Sequence, residues 1–197
     1  MKKIPTLFKR EFDHHNVVNI LPNVTPGLEW VLEGEGIATE KIDGSCCAVI
    51  DGEWFRRYDA KKGRSIPINA IPCQDKPDPI TGHWPHWLLL DPNSPADKWY
   101  LEAFKNSTSH LYDGTYEAIG PHFQGNPYNR PYDHLIRHGT IIIEDFPRTF
   151  EGMRDFLKNH YIEGVVFWKD DEPKCKIKRS DFGFEWPVQN NYRRLSL

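Results

Sequence analysis

Lys41 stands in the run Thr39-Glu40-Lys41-Ile42-Asp43-Gly44, a K-x-D-G sequence that follows the apolar pair Ile37 and Ala38. An ammonium is costly to desolvate, so a lysine set against apolar chain calls for a partner or a purpose. Desolvation or cationic neighbours can remove its proton near neutral pH and leave a nucleophilic amine. By itself K-x-D-G is an ordinary turn, and its chemistry depends on what the rest of the chain brings to it. Further on come Arg56-Arg57, Tyr116-Glu117-Ala118-Ile119-Gly120, Glu163-Gly164-Val165-Val166 and Lys176-Ile177-Lys178. The run from Lys174 to Lys178 alternates basic and apolar residues, so its three lysines share one face of a strand. Arg56 and Arg57 must point to opposite faces, and Arg57 is assigned to the inner one.

The elements that would carry these residues read as short strands. Ser45–Ile50 is apolar and partly β-branched, Asp51-Gly52 is a two-residue hairpin signal, and Glu53–Tyr58 is the return strand. Lys41 then enters a β-hairpin over a turn at Gly44. Thr115–Ile119 and Gly139–Phe146 read as strands, and Thr149 caps a helix to about Asn159 with Phe150, Met153, Phe156 and Leu157 on its apolar face. Ile162–Trp168 and the lysine run form a second hairpin across Asp170–Pro173. Residues 1–36 hold prolines and glycines that predict a lead-in of short strands. Residues 67–100 read as a long surface excursion rich in Pro and Trp, and the tail after Gly183 as partly helical or irregular.

The chain has 197 residues, which suits one domain (1–197, motif-bearing core about 37–182). Its net charge of −3 excludes coating of nucleic acid through overall charge, so a polyanion must meet local basic clusters. Lys61, Lys62 and Arg64 form one such run. Cys46, Cys47, Cys73 and Cys175 lack C-x-x-C spacing, which argues against zinc and against a disulfide framework. The expectation is an intracellular, reducing compartment without a secretion signal or membrane span, so the sequon Asn106-Ser107-Thr108 is read as chance. His83-Trp84-Pro85-His86 has a loose metal-like spacing but no further ligands nearby, and reads as structural or surface. Cys46 and Cys47 read as strand packing residues.

The ordered fragments A-T-E-K-I-D-G-S-C-C, R-R-Y-D-A-K-K-G and Y-E-A-I-G-P-x-x-x-G-N-P resemble the covalent nucleotidyltransferases: RNA ligases, DNA ligases and mRNA capping enzymes. Within that superfamily the chain is most similar to the 5′-to-3′ RNA ligase family known as RNA ligase 1 in vertebrates. The resemblance runs from about residue 37 to 182. It implies an α+β nucleotidyltransferase (adenylation) domain of antiparallel β-sheets flanked by helices, with no room for an OB domain after residue 183.

The resemblance also implies a mechanism. Lys41 attacks the α-phosphorus of ATP and carries AMP, which passes to an RNA 5′-phosphate before a 3′-hydroxyl seals the strand. Glu40 meets the purine exocyclic amine, Asp43 and Gly44 complete the nucleotide-binding turn, Arg57 contacts the phosphate or ribose side, and Glu117 takes the ribose hydroxyls. Glu163 serves Mg²⁺ or Mn²⁺ or the catalytic lysine, and Lys176 and Lys178 grip the α-phosphate. A free lysine titrates at about 10.4, so Lys176, Lys178 and a divalent metal are expected to lower the Lys41 value by like-charge repulsion. The same cations suit the charge that develops on phosphoryl oxygens. A base-stacking residue is sought in His134–His138. A capping guanylyltransferase, a DNA ligase (which the chain's size counts against) and a catalytically silent nucleotide- or RNA-binding module are the alternatives.

Overall fold

The computed structural model describes residues 1–13, 16–61, 63, 65–79, 81–107 and 111–188. In chain order the elements are β1 (Phe8–Asp13), β2 (Asn16–Val24), β3 (Ile37–Lys41), β4 (Ser45–Ile50), β5 (Glu53–Ala60), β6 (Ile71–Pro72), β7 (Trp84–Leu89) and α1 (Lys98–Asn106). There follow β8 (Gly114–Ile119), β9 (His134–Arg137), α2 (Phe150–Asn159), β10 (Gly164–Lys169) and β11 (Glu172–Lys178). Among the described residues, the mostly antiparallel sheets with two α-helices are compatible with the α+β class. The chain divides into two compact units, Met1–Lys3 with Asp43–His138, and Ile4–Ile42 with Gly139–Leu197.

The first unit is built on a six-stranded sheet in the order β6-β7-β5-β4-β8-β9. Asp51 and Gly52 both have positive φ (52° and 78°), as the expected two-residue hairpin turn requires. Strand β4 is apolar at nearly every position because both of its faces are covered. Cys47 and Val49 pack with Ala103, Phe104 and Tyr116, while Ala48 packs with Phe55 and Trp87. Two features differ from the sequence reading. Part of the expected surface excursion is strand β7, paired with β5 from Phe55↔Leu89 to Ala60↔Trp84. Pro85 is tolerated there because its nitrogen faces the β6 side, where only its carbonyl is used, accepting from the Cys73 N–H at 2.9 Å just past β6. Helix α1 was not expected at all; it buries Ala103 and Phe104 and stacks Phe104 on Trp54 at 4.9 Å.

The second unit holds a β1-β2 hairpin and a three-stranded sheet in the order β11-β10-β3. The lead-in is longer and more regular than expected, with a nine-residue β2. Its register shifts between Phe8 and Arg10, where Pro22, lacking an N–H, falls on the partner strand. Helix α2 begins as expected, the Thr149 hydroxyl accepting from the Gly152 N–H at 3.1 Å. Its Met153 and Leu157 meet Ala38, Val165, Phe167, Cys175 and Ile177 of the sheet, together with Leu7, Phe8 and Val31, in one core. Gly139–Phe146 is not a strand. Gly139 and Asp145 take positive φ at its ends, and between them a single bridge, Thr39↔Ile142, joins it to β3.

Candidate active site

Strand β10 pairs with β3 on one side and β11 on the other, and this register assembles the lysines. Gly164 lies opposite both Lys41 and Lys178, and Val166 lies opposite both Thr39 and Lys176. Directly opposed residues share a face and faces alternate along a strand. Lys41, Lys176 and Lys178 therefore rise from one side of the sheet, while Ala38, Val165, Phe167, Cys175 and Ile177 face the core on the other. The alternation of the lysine run has this physical cause. Lys174, at the outer end of β11, bonds Glu172 at 2.7 Å instead. Glu40, opposite Val165, is buried at 6% exposure on the side away from Lys41.

Lys41 donates from Nζ to Oε2 of Glu163, a charge-assisted pair whose side chains are 23% and 14% exposed. Glu163 directly precedes β10, and its carbonyl accepts the Arg179 N–H at 2.9 Å. Arg179 is 2% exposed, and its guanidinium donates to the carbonyls of Leu157, His160 and Glu185, so it ties the last turn of α2 to the Glu163 segment. Lys176 is fixed from both sides. Beyond its pairing with β10, its N–H reaches Pro5 O at 3.0 Å and its carbonyl accepts from Leu7 N at 2.8 Å. Burial, then the Lys41 and Lys178 ammonium groups, lower its side chain to about 8 against the weaker opposing pull of Glu163 and Asp181. The like-charge repulsion expected around Lys41 thus also acts on Lys176.

Gly164 is required by close approach. A Cβ there would strike the Ile177 carbonyl oxygen and come within 2.9 Å of Lys178 Cα. Gly164→Ala is expected to destabilise the chain by about 1–3 kcal/mol and to spread the Lys41 and Lys178 strands apart. Urea unfolding should show the lower midpoint; a midpoint equal to wild type would show that the sheet relaxes freely at this row.

The first unit carries the remaining expected site residues. Cys46 lies opposite Glu117, and Glu117 opposite Ile136. The register that sets Cys47 opposite Arg56 brings Cys46 toward Arg57, which in turn faces Trp87. Arg57 and Glu117 therefore occupy one row of one sheet face, two strands apart. Arg57 bonds Asp59 at 3.0 and 3.1 Å. Arg56 faces the other way and pairs with Asp97, as alternation requires. Asp43 donates its N–H to the Tyr128 hydroxyl at 2.7 Å. Gly44 approaches β8 so closely that a Cβ would meet the Ala118 carbonyl and lie 2.8 Å from Ile119 Cγ2. Proximity, rather than positive φ, makes this position a glycine.

Three residues at these sites were not singled out from sequence. His138 places Nε2 2.7 Å from Glu117 Oε2 and Nδ1 3.0 Å from Thr115 Oγ1. It closes the His134–His138 segment, the one signal that pointed toward it. Tyr128 sits in the turn-rich stretch, and Arg179 follows the lysine run directly. Burial, then the Glu117 carboxylate, push the Cys46 thiol up to about 12, so it is a neutral thiol at physiological pH. His86 is 2% exposed with Nδ1 2.8 Å from Trp84 O, in keeping with a structural reading. Lys62, Arg64, Thr108 and the end of the tail lie outside the described residues. No helix among the described residues is long and apolar enough to cross a membrane.

The family model for RNA ligase 1 matches residues 86–195, more than half of the chain. RNA ligase 1 of Danio rerio is 25% identical over 97% of this chain and 83% of its own length. RNA ligase 1 of Rattus norvegicus is 26% identical, and that of Pongo abelii 27%, each over 79% of this chain and 70% of its own length. The family match takes in β8, β10 and β11, and with them Glu117, Glu163, Lys176 and Lys178. On that match, the chain belongs to the RNA ligase 1 family.

Proposed function

We propose that the chain is an ATP-dependent RNA ligase that joins a 5′-phosphate to a 3′-hydroxyl through a lysyl-AMP intermediate on Lys41. The observation that carries the reading is the row Lys41–Gly164–Lys178 with Glu163 bonded to Lys41 and Lys176 one step along the same face. RNA ligase 1 relatives support RNA as the substrate class.

In the first step Nζ of Lys41 bonds to the α-phosphorus of ATP and pyrophosphate leaves. Glu163 holds the Lys41 amine in place and is the nearest acceptor for the proton that departs from it. Lys176 and Lys178 balance the charge that builds on the α-phosphoryl oxygens. In the second step a 5′-phosphate oxygen of RNA attacks the same phosphorus and frees Lys41. In the third, a 3′-hydroxyl attacks the RNA phosphate and AMP leaves. Arg57 and Glu117 serve the nucleotide's phosphate and ribose, and Asp43 and Gly44 shape the turn. Ile136, in register with Glu117, offers an aliphatic surface for the base.

A carboxylate oxygen is a donor that a hard cation takes, its remaining positions filled by water and phosphate oxygens. Glu163 is the residue that would hold Mg²⁺ or Mn²⁺ here, and the ion would supply charge neutralisation at the phosphates.

The test is intact mass after incubation with a divalent metal and either ATP or GTP, using protein first cleared of adduct by pyrophosphate. One AMP added from ATP is the expected result. A GMP adduct would reassign the chain to capping chemistry, and no adduct with either nucleotide would leave a binding module.

A further inference from the structure

We infer that Cys46, Glu117 and His138 form a site for a thiophilic divalent cation of the Zn²⁺ class, and that the cation competes with nucleotide for Glu117. The competition rests on the ribose role given to Glu117 above; the metal site does not.

Among the described residues, one ligand atom from each of these three side chains lies within 4.8 Å of the other two. The ligands come from β4, from β8 and from the turn directly after β9, and meet only through sheet register. Cysteine spacing, which argued against zinc, cannot report such a site. A sulfur, an imidazole nitrogen and a carboxylate oxygen are the donor set that Zn²⁺ accepts, with a fourth position left for water. Mg²⁺ and Mn²⁺ prefer oxygen donors, so the thiol separates this site from the one given to Glu163.

The surroundings orient the ligands. The His138 backbone N–H donates to Thr115 O at 3.1 Å, which anchors the turn. In the metal-free protein Nε2–H of His138 donates to the Glu117 carboxylate, and Nδ1 lies 3.0 Å from the Thr115 hydroxyl, which can donate to it. With a cation on Nε2 the ring proton moves to Nδ1, and the same hydroxyl turns to accept it. A hydroxyl can play either part, so the ring keeps its orientation in both states. The cation displaces the Cys46 thiol proton to solvent while the imidazole proton stays on the ring at Nδ1, so affinity rises with pH.

Co²⁺ is the spectroscopic probe, titrated near neutral pH without nucleotide. The expected result is one equivalent bound, with a thiolate-to-cobalt charge-transfer band and intense tetrahedral d–d bands that Zn²⁺ abolishes. Both should be lost in Cys46→Ala and in His138→Gln, each checked for native circular dichroism so that either variant can carry the test. Bands absent from wild type, or persisting in both variants, would overturn the site. The second measurement is adduct formation against ATP concentration. With Zn²⁺ at about ten times its Kd, the ATP needed for half-maximal adduct should rise about tenfold in wild type and stay unchanged in Cys46→Ala. Metal binding with unaltered ATP dependence would overturn the competition and count against Glu117 as the ribose contact. A chain that forms no adduct at any metal concentration would fail as a ligase, while the cobalt titration still judges the site.

Discussion

Lys41→Ala is expected to abolish the AMP adduct and, with it, ligation of ordinary RNA ends. A covalent carrier has no substitute, and removal of a nucleophile in a comparable two-step enzyme costs on the order of 10⁶ in rate. The fold should survive. Glu163 loses its partner but remains close enough to Lys176 to influence its titration, so its charge is not stranded. Lys41 is also 23% exposed at its side chain and leaves no cavity in the core. Two measurements make the result specific. RNA supplied with AMP already on its 5′ end should still be sealed by the variant, because only the first two steps use the Lys41 amine. Peptide mapping of the wild-type adduct should place AMP on Lys41. The structure names a rival, since Lys176, lowered to about 8, is the lysine whose neutral amine is more available near neutral pH than an ordinary lysine's. An adduct mapped to Lys176, or one that persists in Lys41→Ala, would move the nucleophile one strand over.

The features legible in the sequence are those that short-range physics decides. Asp51-Gly52 announces its hairpin because few other residues take positive φ at two successive positions. Thr149 announces α2 because its hydroxyl satisfies an otherwise orphaned helix N–H. The basic-apolar alternation from Lys174 to Lys178 announces a strand with one buried face, and Cys175 and Ile177 are indeed fully buried. What was missed depends on partners distant in sequence. Pro85 argues against a strand until its nitrogen is seen to face the β6 side, where only its carbonyl is used. Asp97 stands at the N-cap of α1, a residue type that signals a helix start, but its carboxylate goes to Arg56 and the Asp91 N–H rather than to a cap bond. Three consecutive isoleucines at 141–143 look like a strand, yet the positive φ of Gly139 and Asp145 leaves them a single bridge. The site divides the same way. That Lys41 and the lysine run belong together follows from motif order. That Gly164 alone separates Lys41 from Lys178, and that His138 meets Glu117, follows from register, which no local pattern encodes.

Lys176→Met is expected to make the chain more stable and less active. The wild-type ammonium is held where burial and two like charges disfavour it, and its folded value of about 8 lies below the ordinary 10.5. The folded chain therefore binds this proton more weakly than the unfolded chain does. Between about pH 8 and 10.5 the unfolded state carries more protons, so wild-type stability should rise with pH across that window; below about pH 8 the full penalty is present. A drop from 10.5 to about 8 corresponds to roughly 3 kcal/mol, an upper bound on what removing the charge returns at neutral pH. Methionine keeps the unbranched stem and the packing of β11 between β10 and Pro5–Leu7, so the charge is the main change. Urea midpoints measured from pH 7 to 10.5 should rise for wild type and stay level for Lys176→Met, with the variant more stable at pH 7. Parallel profiles would show that the ammonium reaches water freely and carries no penalty. The same substitution removes a cation from the α-phosphate and should slow adduct formation by about 10²–10³. Such a position, strained in the resting protein and needed for the reaction, is what a site assembled to meet a phosphate should contain. Its cost in the resting fold is the counterpart of the charge it would offer an α-phosphate.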